Sequence, residues 1–398
     1  MMASEPRARV LDADSRSRTG IAHMPRNDRN HPAGGRHNQS STPASPAAGA
    51  GPKWLAREAG TSVREPGPLI RLLRLVPAVL AGLLAFGCHG GVAFAQSAWP
   101  ARPITLIVPY AAGGPTDVLG RLVGESMSRT LGQQIVIENV LGAGGTTAST
   151  RTMRAAPDGY TIMLGHMGTH AAAVALYPKL AYNPSRDFAP IGVVAENPVL
   201  ILARKGIPAR DLGEFISYAK EHAAGLTMAH AGMGSVSYMT CQLFNSIIGV
   251  NPKLEAFQGS SPAMTALVAG KVDYMCDQVV AVVPKATAHL IRVFAVGTPT
   301  RNLALPDVPT AKEAGLPQFQ VSAWNALFAP RATPAPIIAR LNAALVAALD
   351  DETVRKRLRD LGSDIPDRAG RSPEALAALV KSEIARWTTI IKATEETN

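Results

Sequence analysis

After residue 95, short apolar runs alternate with stretches of helical period along the rest of the chain. The runs predict strands at Ile104–Val108, Ile135–Ile137, Thr161–Leu164, Ile191–Val194, Val199–Ala203, Leu226–Ala229, Leu254–Phe257, Val272–Met275, Ile291–Val296 and Trp324–Ala329. Helices are expected between them at 116–131, 211–223, 236–248, 262–269 and 310–314, then near 335–349, 351–361 and 373–394. The last follows Ser372-Pro373-Glu374, an N-cap and first-turn signal. Alternation of this kind predicts an α/β fold whose sheets are mostly parallel and flanked by helices.

The most informative stretch is Ile104-Thr-Leu-Ile-Val-Pro-Tyr-Ala-Ala-Gly-Gly-Pro-Thr-Asp117. A nearly all-apolar strand runs into the Gly113-Gly114 pair and then into a helix with Leu119, Val123, Met127 and Leu131 on one face. Glycine admits a tight turn and a close backbone approach, and free N–H groups at a helix N-terminus attract anions. Similar loops follow at Gly142-Ala-Gly-Gly-Thr-Thr147, Ala231-Gly-Met-Gly-Ser-Val-Ser-Tyr238 and Gln258-Gly-Ser-Ser-Pro-Ala263. Loops near 110 and near 231 in corresponding places suit two similar lobes around a cleft, and ligands of open α/β sheets bind at strand carboxyl ends.

The first 95 residues belong to a different class. Residues 1–68 are rich in Arg, Pro, Gly, Ser and Ala without apolar period, which reads as a disordered or non-native extension. Residues 69–95 have the order of a secretory signal peptide: Arg71 and Arg74, an apolar run from Leu75 to Phe86, then Ala93-Phe94-Ala95. Cleavage is expected after Ala95, with export to the periplasm. Lipidation at Cys88 is the weaker alternative, because Ala85 stands where a Leu is expected. The segment before residue 63 is long for a signal n-region, which favours a translation start at Val63 or Leu69 over an extended leader.

Export changes what the net charge of +10 means. Twelve of the 40 Lys and Arg and six of the 30 Asp and Glu precede residue 96, so the rest carries about +4. Arg355-Lys356-Arg357 reads as a solvated helix face, and no nucleic-acid partner is expected. Cys241 and Cys276 remain as two thiols whose pairing the sequence leaves open.

The pieces Trp99-Pro-Ala-Arg-Pro-Ile104, Val108-Pro-Tyr-Ala-Ala-Gly-Gly-Pro-Thr-Asp117, Gly142-Ala-Gly-Gly145, Pro157-Asp-Gly-Tyr-Thr161, Gly232-Met-Gly-Ser-Val-Ser237, Gly259-Ser-Ser-Pro-Ala-Met264, Gly270-Lys-Val-Asp273 and Pro309-Thr-Ala-Lys-Glu-Ala-Gly315 stand in order along the chain. In these the sequence resembles the Bug family of periplasmic solute receptors of tripartite tricarboxylate transporters. The resemblance implies a two-lobed, Venus-flytrap binding protein of type II-like topology, with one lobe from 96–198 plus 321–398 and the other from 199–320. It implies a small organic carboxylate (dicarboxylate, tricarboxylate, amino acid or aromatic acid) held between the lobes by backbone amides, hydroxyls and waters. The partner it implies is a set of membrane transporter subunits, with a sensor protein as the alternative, and the receptor is expected to be a monomer.

Loops and resemblance together single out Tyr110, Ala112, Gly113, Gly114 and Asp117, then Gly144, Gly145, Thr169 and His170 as candidate ligand-binding residues. On the second lobe they single out Gly234, Ser235, Ser237, Tyr238, Gly259 and Asp277. Where many relatives carry His, this chain has Tyr238, which either meets the ligand or packs on its helix. Asp117 suits a helix-terminus contact that fixes its loop. Asp277, beyond a strand, suits either a cap or a ligand amino group.

Catalysis and resident cofactors are not expected. His166 and His170 have i, i+4 spacing but no carboxylate or Cys set nearby, so no metal site is expected. Ser235 and Ser237 lack the G-x-S-x-G order and identifiable partners for nucleophilic chemistry. A nucleotide-dependent α/β enzyme is disfavoured, because Tyr110–Asp117 contains no G-x-G-x-x-G.

Overall fold

The structure, a computed structural model, describes residues 99–397. The leader, the cleavage site after Ala95, Cys88 and the alternative starts lie outside these residues.

The described chain is a two-lobed α/β protein whose lobes share one long strand. On the first side, β1 (Ile104–Pro109) lies between β2 (Ile135–Val140) and β3 (Thr161–His166), parallel to both. Next to β3 comes β9 (Ser322–Pro330), antiparallel, and then β4 (Phe188–Arg204). Strand β4 pairs with β9 from Phe188 to Pro198. From Val199 it pairs instead with β7 (Tyr274–Gln278) and β8 (Ile291–Val296). Strands β5 (Thr227–His230) and β6 (Lys253–Ala256) complete that side, parallel to β7. One strand on each side therefore runs against the rest, and in both cases it is a crossover strand.

Helix α1 (Pro115–Leu131) shows how the sequence builds these layers. Pro115 suits the first turn, and Gly132, at φ 71°, closes the helix with its N–H on the Ser128 carbonyl. Leu119, Val123, Met127 and Leu131 are buried with Leu106 and Val108 of β1 in one core cluster. Full burial of each such side chain stabilises by roughly 1.5–3 kcal/mol. A second cluster, around Ile107, Met163, Phe215 and Phe244, fills the opposite face of the sheets. The remaining helices are α2 (Thr146–Met153), the short α3 (Ala173–Leu176), α4 (Leu212–Glu221), α5 (Val236–Ile248), α6 (Ser260–Val268), α7 (Val279–Thr287), α8 (Ala335–Asp350), α9 (Glu352–Asp360) and α10 (Pro373–Thr397). Ser372 caps α10 through its Oγ, which accepts the Ala375 N–H at 3.1 Å.

The structure differs from the sequence reading in several elements; α2 and α3 are not among the expected helices. The strands expected at Ile191–Val194 and Val199–Ala203 are one strand, because Glu196, Asn197 and Pro198 keep pairing with β9 across two bulges. Pro198 has no N–H to lose and sits where the partner strand changes. The helix expected at 310–314 is a hydrogen-bonded turn ending at Gly315, φ 85°. Helix α7 was not expected at all, since its Val-Val-Ala-Val-Val run and Pro284 carry no helical signature. Cys241 of α5 and Cys276 of β7 are joined by a disulfide, with Cα atoms 5.2 Å apart. Among the described residues no helix is long and apolar enough to cross a membrane.

Candidate ligand cavity

A small cavity lies where strand ends of both lobes meet. It is lined by Pro109, Tyr110, Ala111, Gly114, Pro115, Thr116 and Asp117 from the first lobe's loop, and by His166 at the end of β3. From the second side come Ala231, Ser235, Val236, Ser260 and Gln278. Four helices begin on this lining. Gly114 is the N-cap of α1, Ser235 that of α5, Gly259 that of α6 just before Ser260, and Gln278 that of α7. Each helix start carries partial positive charge on unpaired N–H groups. No Lys or Arg is among the lining residues.

The two sides are already in contact. The Ala111 N–H donates to the Gln258 carbonyl at 2.9 Å. Gly259, at φ 144°, allows that approach, since a Cβ there would stand 2.9 Å from the Ala111 nitrogen. The Tyr177 hydroxyl lies 2.6 Å from the Met233 carbonyl and 3.1 Å from that of Ala143. A Cβ on Gly144 would overlap the Met233 carbonyl oxygen.

Of the residues singled out from the sequence, Tyr110, Gly114, Asp117 and Ser235 line the cavity. Tyr110 holds φ 74°, a left-handed conformation uncommon for a bulky residue, and its hydroxyl donates to the Gly144 carbonyl at 2.7 Å. Asp117 accepts the Gly113 N–H at 2.9 Å, Arg121 Nε at 2.9 Å and Asn139 Nδ2 at 3.0 Å. Burial pushes its pKa up, but the bonds from Arg121, Gly113 and Asn139 outweigh that and hold it below the usual range. Ser235 Oγ accepts the Tyr238 N–H at 3.1 Å and lies 3.1 Å from Ser237 Oγ.

The others stand outside the lining. Ala112 and Gly113 are exposed, and the Gly113 amide is already bound to Asp117. Gly144 and Gly234 sit at the contact between lobes, and the Gly145 N–H serves the Gly142 carbonyl. Gly145 is at φ 90°, and a Cβ there would stand 2.7 Å from Thr169 Cγ2. Thr169 Oγ1 accepts the His166 N–H at 3.1 Å. His170 is stacked on Phe328, with ring centroids 3.8 Å apart, and lies edge-on to Phe188 inside the core. Its ring is an aromatic filler there, and burial holds its pKa well below the usual value. Ser237 Oγ accepts the Ala231 N–H at 2.9 Å. Tyr238 packs on His230, with ring centroids 5.0 Å apart, and on the core.

Asp277 lies behind the lining. Its Oδ1 accepts the Gln278 N–H at 2.8 Å and Ser260 Oγ at 3.1 Å, while its Oδ2 has no hydrogen-bond partner. Burial pushes this carboxyl up to about 7, against those two bonds.

The sequence reading missed Ala111, Thr116, His166, Ser260 and Gln278. Ser260 and Thr116 carried a usable signal, a hydroxyl in the first turn after a glycine loop. Gln278 had none without α7, and His166 was weighed only as half of a metal pair. Among the described residues no group of three His, Cys, Asp or Glu could hold a metal ion.

The chain and its fold have relatives. Residues 119–395 match the tripartite tricarboxylate transporter family receptor. The solved structure of MatC from Rhodopseudomonas palustris with bound malate is 54% identical, covers 74% of this chain and 100% of its own, and superposes with a TM-score of 0.72. The periplasmic binding protein BugD is 38% identical, with 75% and 99% covered and a TM-score of 0.73. A UPF0065 protein of Agrobacterium vitis is 38% identical over 330 residues, 83% of this chain and 95% of its own. The chain belongs to the tripartite tricarboxylate transporter receptor family.

Proposed function

We propose that this receptor captures a small dicarboxylate of the size of malate in the cavity between its lobes and delivers it, without chemical change, to membrane transporter subunits from the periplasm. The observation that carries this reading is the meeting of four helix N-termini on one cavity that has no cationic side chain in its lining. Oriented N–H groups and hydroxyls compensate a carboxylate by charge-assisted hydrogen bonds without an Arg clamp. The malate bound by the MatC relative is an acid of this class. Hydrogen bonding within the lining favours binding over catalysis: Ser235 Oγ is tied to a helix start and Asp117 to Arg121.

The lobes in this reading are 96–198 with 321–398, and 199–320, hinged where β4 changes partner at Pro198 and where the chain returns near Val321. Secretion from Gln96 completes it. Thermal shift followed by calorimetric titration with malate, succinate, citrate and aspartate tests the binding, since a ligand specific to the folded state raises its stability by mass action. Saturable binding of at least one acid is expected. Failure of all of them, with binding of a dinucleotide instead, would overturn the reading.

A further inference from the structure

His166 ends β3 inside the cavity lining at 1% exposure, stacked on Tyr110 with ring centroids 5.5 Å apart. Its Nδ1 accepts the Gly168 N–H at 2.9 Å. An imidazole nitrogen that accepts is unprotonated, so the ring proton sits on Nε2. Nε2 is buried and has no hydrogen-bond partner. Buried polar groups of a native protein are nearly always paired, and an orphaned one calls for a ligand or water. Burial also holds the imidazole down at about 3, so it is a neutral donor.

The strand beside it continues the polar base of the cavity. His166 is the register partner of Asn325 in β9, whose Nδ2 donates to Gln278 Oε1 at 2.8 Å. The Gln278 side-chain oxygen takes that bond, while Asn325 Oδ1 has no hydrogen-bond partner, and Gln278 itself lines the cavity. His166 of the first lobe and Gln278 of the second thus both line the cavity at this sheet end.

We propose that the His166 Nε2–H reads a second oxygen function of the ligand, selecting bifunctional acids over monocarboxylates of the same chain length. This rests on the carboxylate-receptor reading above. The first carboxylate takes the helix N-termini, whose partial charges favour the greatest anionic density. A neutral N–H on a strand end then suits the second carboxylate. The Gly168 bond fixes which nitrogen donates, so the donor is in place before the ligand arrives.

Calorimetric titration of wild type, His166→Phe and His166→Gln with succinate and butanoate tests the assignment. Wild type should favour succinate. His166→Phe keeps an aromatic ring beside Tyr110 and should weaken succinate about ten- to a hundredfold while leaving butanoate within about twofold. His166→Gln, which keeps a donor, should recover most of the loss. Equal weakening of both acids, or no weakening of succinate, would overturn the assignment while leaving the receptor reading intact. Binding by wild type of neither acid, nor of malate, citrate or aspartate, would remove the receptor reading and this assignment with it. Should the Phe variant not fold, long-range nitrogen NMR of the wild-type histidines decides. A neutral, Nε2-protonated His166 whose Nε2 resonance moves on malate saturation supports the assignment, and a Nδ1-protonated ring or an unmoved resonance rejects it.

Discussion

Two aspartates stand at the helix starts of the cavity, and they are held in opposite ways. Asp117, in the first turn of α1, is braced by Arg121, Asn139 and the Gly113 amide and is kept ionised. Asp277, at the end of β7 beneath α6 and α7, has two neutral donors and one unpaired oxygen, and its carboxyl is pushed up to about 7. On the first lobe a fixed negative charge organises the loop and is cancelled by a cation facing away from the cavity. On the second lobe the same side chain positions Ser260 and the Gln278 amide while leaning toward its neutral form. An anion in the cavity therefore meets a carboxylate neutralised by Arg121 on one side, while on the other Asp277 stays behind the lining and carries little charge below about pH 7.

The largest effect is expected where the two sides touch. Gly144→Val would place a side chain into the Met233 carbonyl from a backbone at φ 59°, which glycine tolerates and valine does not. The lobes could then not close as they do here. Acid binding should fall by a hundredfold or more, about 2.7 kcal/mol, in titration calorimetry. Near-native circular dichroism would show that the lobes themselves are intact. Unchanged affinity would mean that the contact contributes nothing to capture.

Removing the staple on one side sharpens the comparison. The Cys241–Cys276 disulfide closes a loop of 35-residue separation and holds β7, the strand that carries Asp277. The double Cys→Ser variant should lose about 4 kcal/mol in denaturant unfolding by the chain-entropy estimate. The first lobe has no comparable bond among the described residues, so hydrogen exchange should rise in β5 and β7 and stay unchanged in β1 and β3. Equal loosening of both sides would show that they unfold as one unit.

The pH profile separates the aspartates next. Asp277 is raised above its unfolded value of about 3.8. Below pH 4 both folded and unfolded states are protonated there. Between about pH 4 and 7 the unfolded chain releases the proton while the folded one keeps it, so stability falls as pH rises through that window. Asp277→Asn should flatten this slope, recovering on the order of 3 kcal/mol at pH 7 in denaturant titrations. An unaltered slope would show that the buried oxygen is solvated in solution.

How far these contrasts could be read from sequence depends on whether a local pattern carried them. The strand–glycine–helix stretch at 104–131 was legible, because its apolar runs, Pro115 and Gly132 all point the same way. Asp117 was legible as a loop-fixing contact by its place in a helix's first turn. The opposite character of Asp277 was not, since it comes from burial under Ser260 and α7, a helix whose valines and Pro284 argue against it locally. The i, i+4 spacing of His166 and His170 suggested a shared helical face. Instead His166 closes a strand, and a π-helical turn at Gly168–Ala172 sends His170 into the core while His166 lines the cavity. Long-range contacts decided each of these cases, and one sequence does not encode them in any short window.

The smallest expected effect completes the contrast. Asp117→Asn keeps an oxygen for the Gly113 amide but loses the ion pair with Arg121, and its NH2 then faces the Asn139 Nδ2, donor against donor, so that bond is lost too. Arg121 is 54% exposed, so solvent screens much of that pair. A loss of about 1–2 kcal/mol is expected at neutral pH, mainly from the altered hydrogen bonds. The sign with pH is the reverse of Asp277. Because the folded Asp117 is depressed below its ordinary value, its contribution is present above about pH 4 and fades as pH falls through the folded value. Wild type and variant should therefore converge in stability as the pH falls through the folded value and separate above pH 4. A difference that persists unchanged into acid would locate the effect in loop packing and not in the carboxylate's charge.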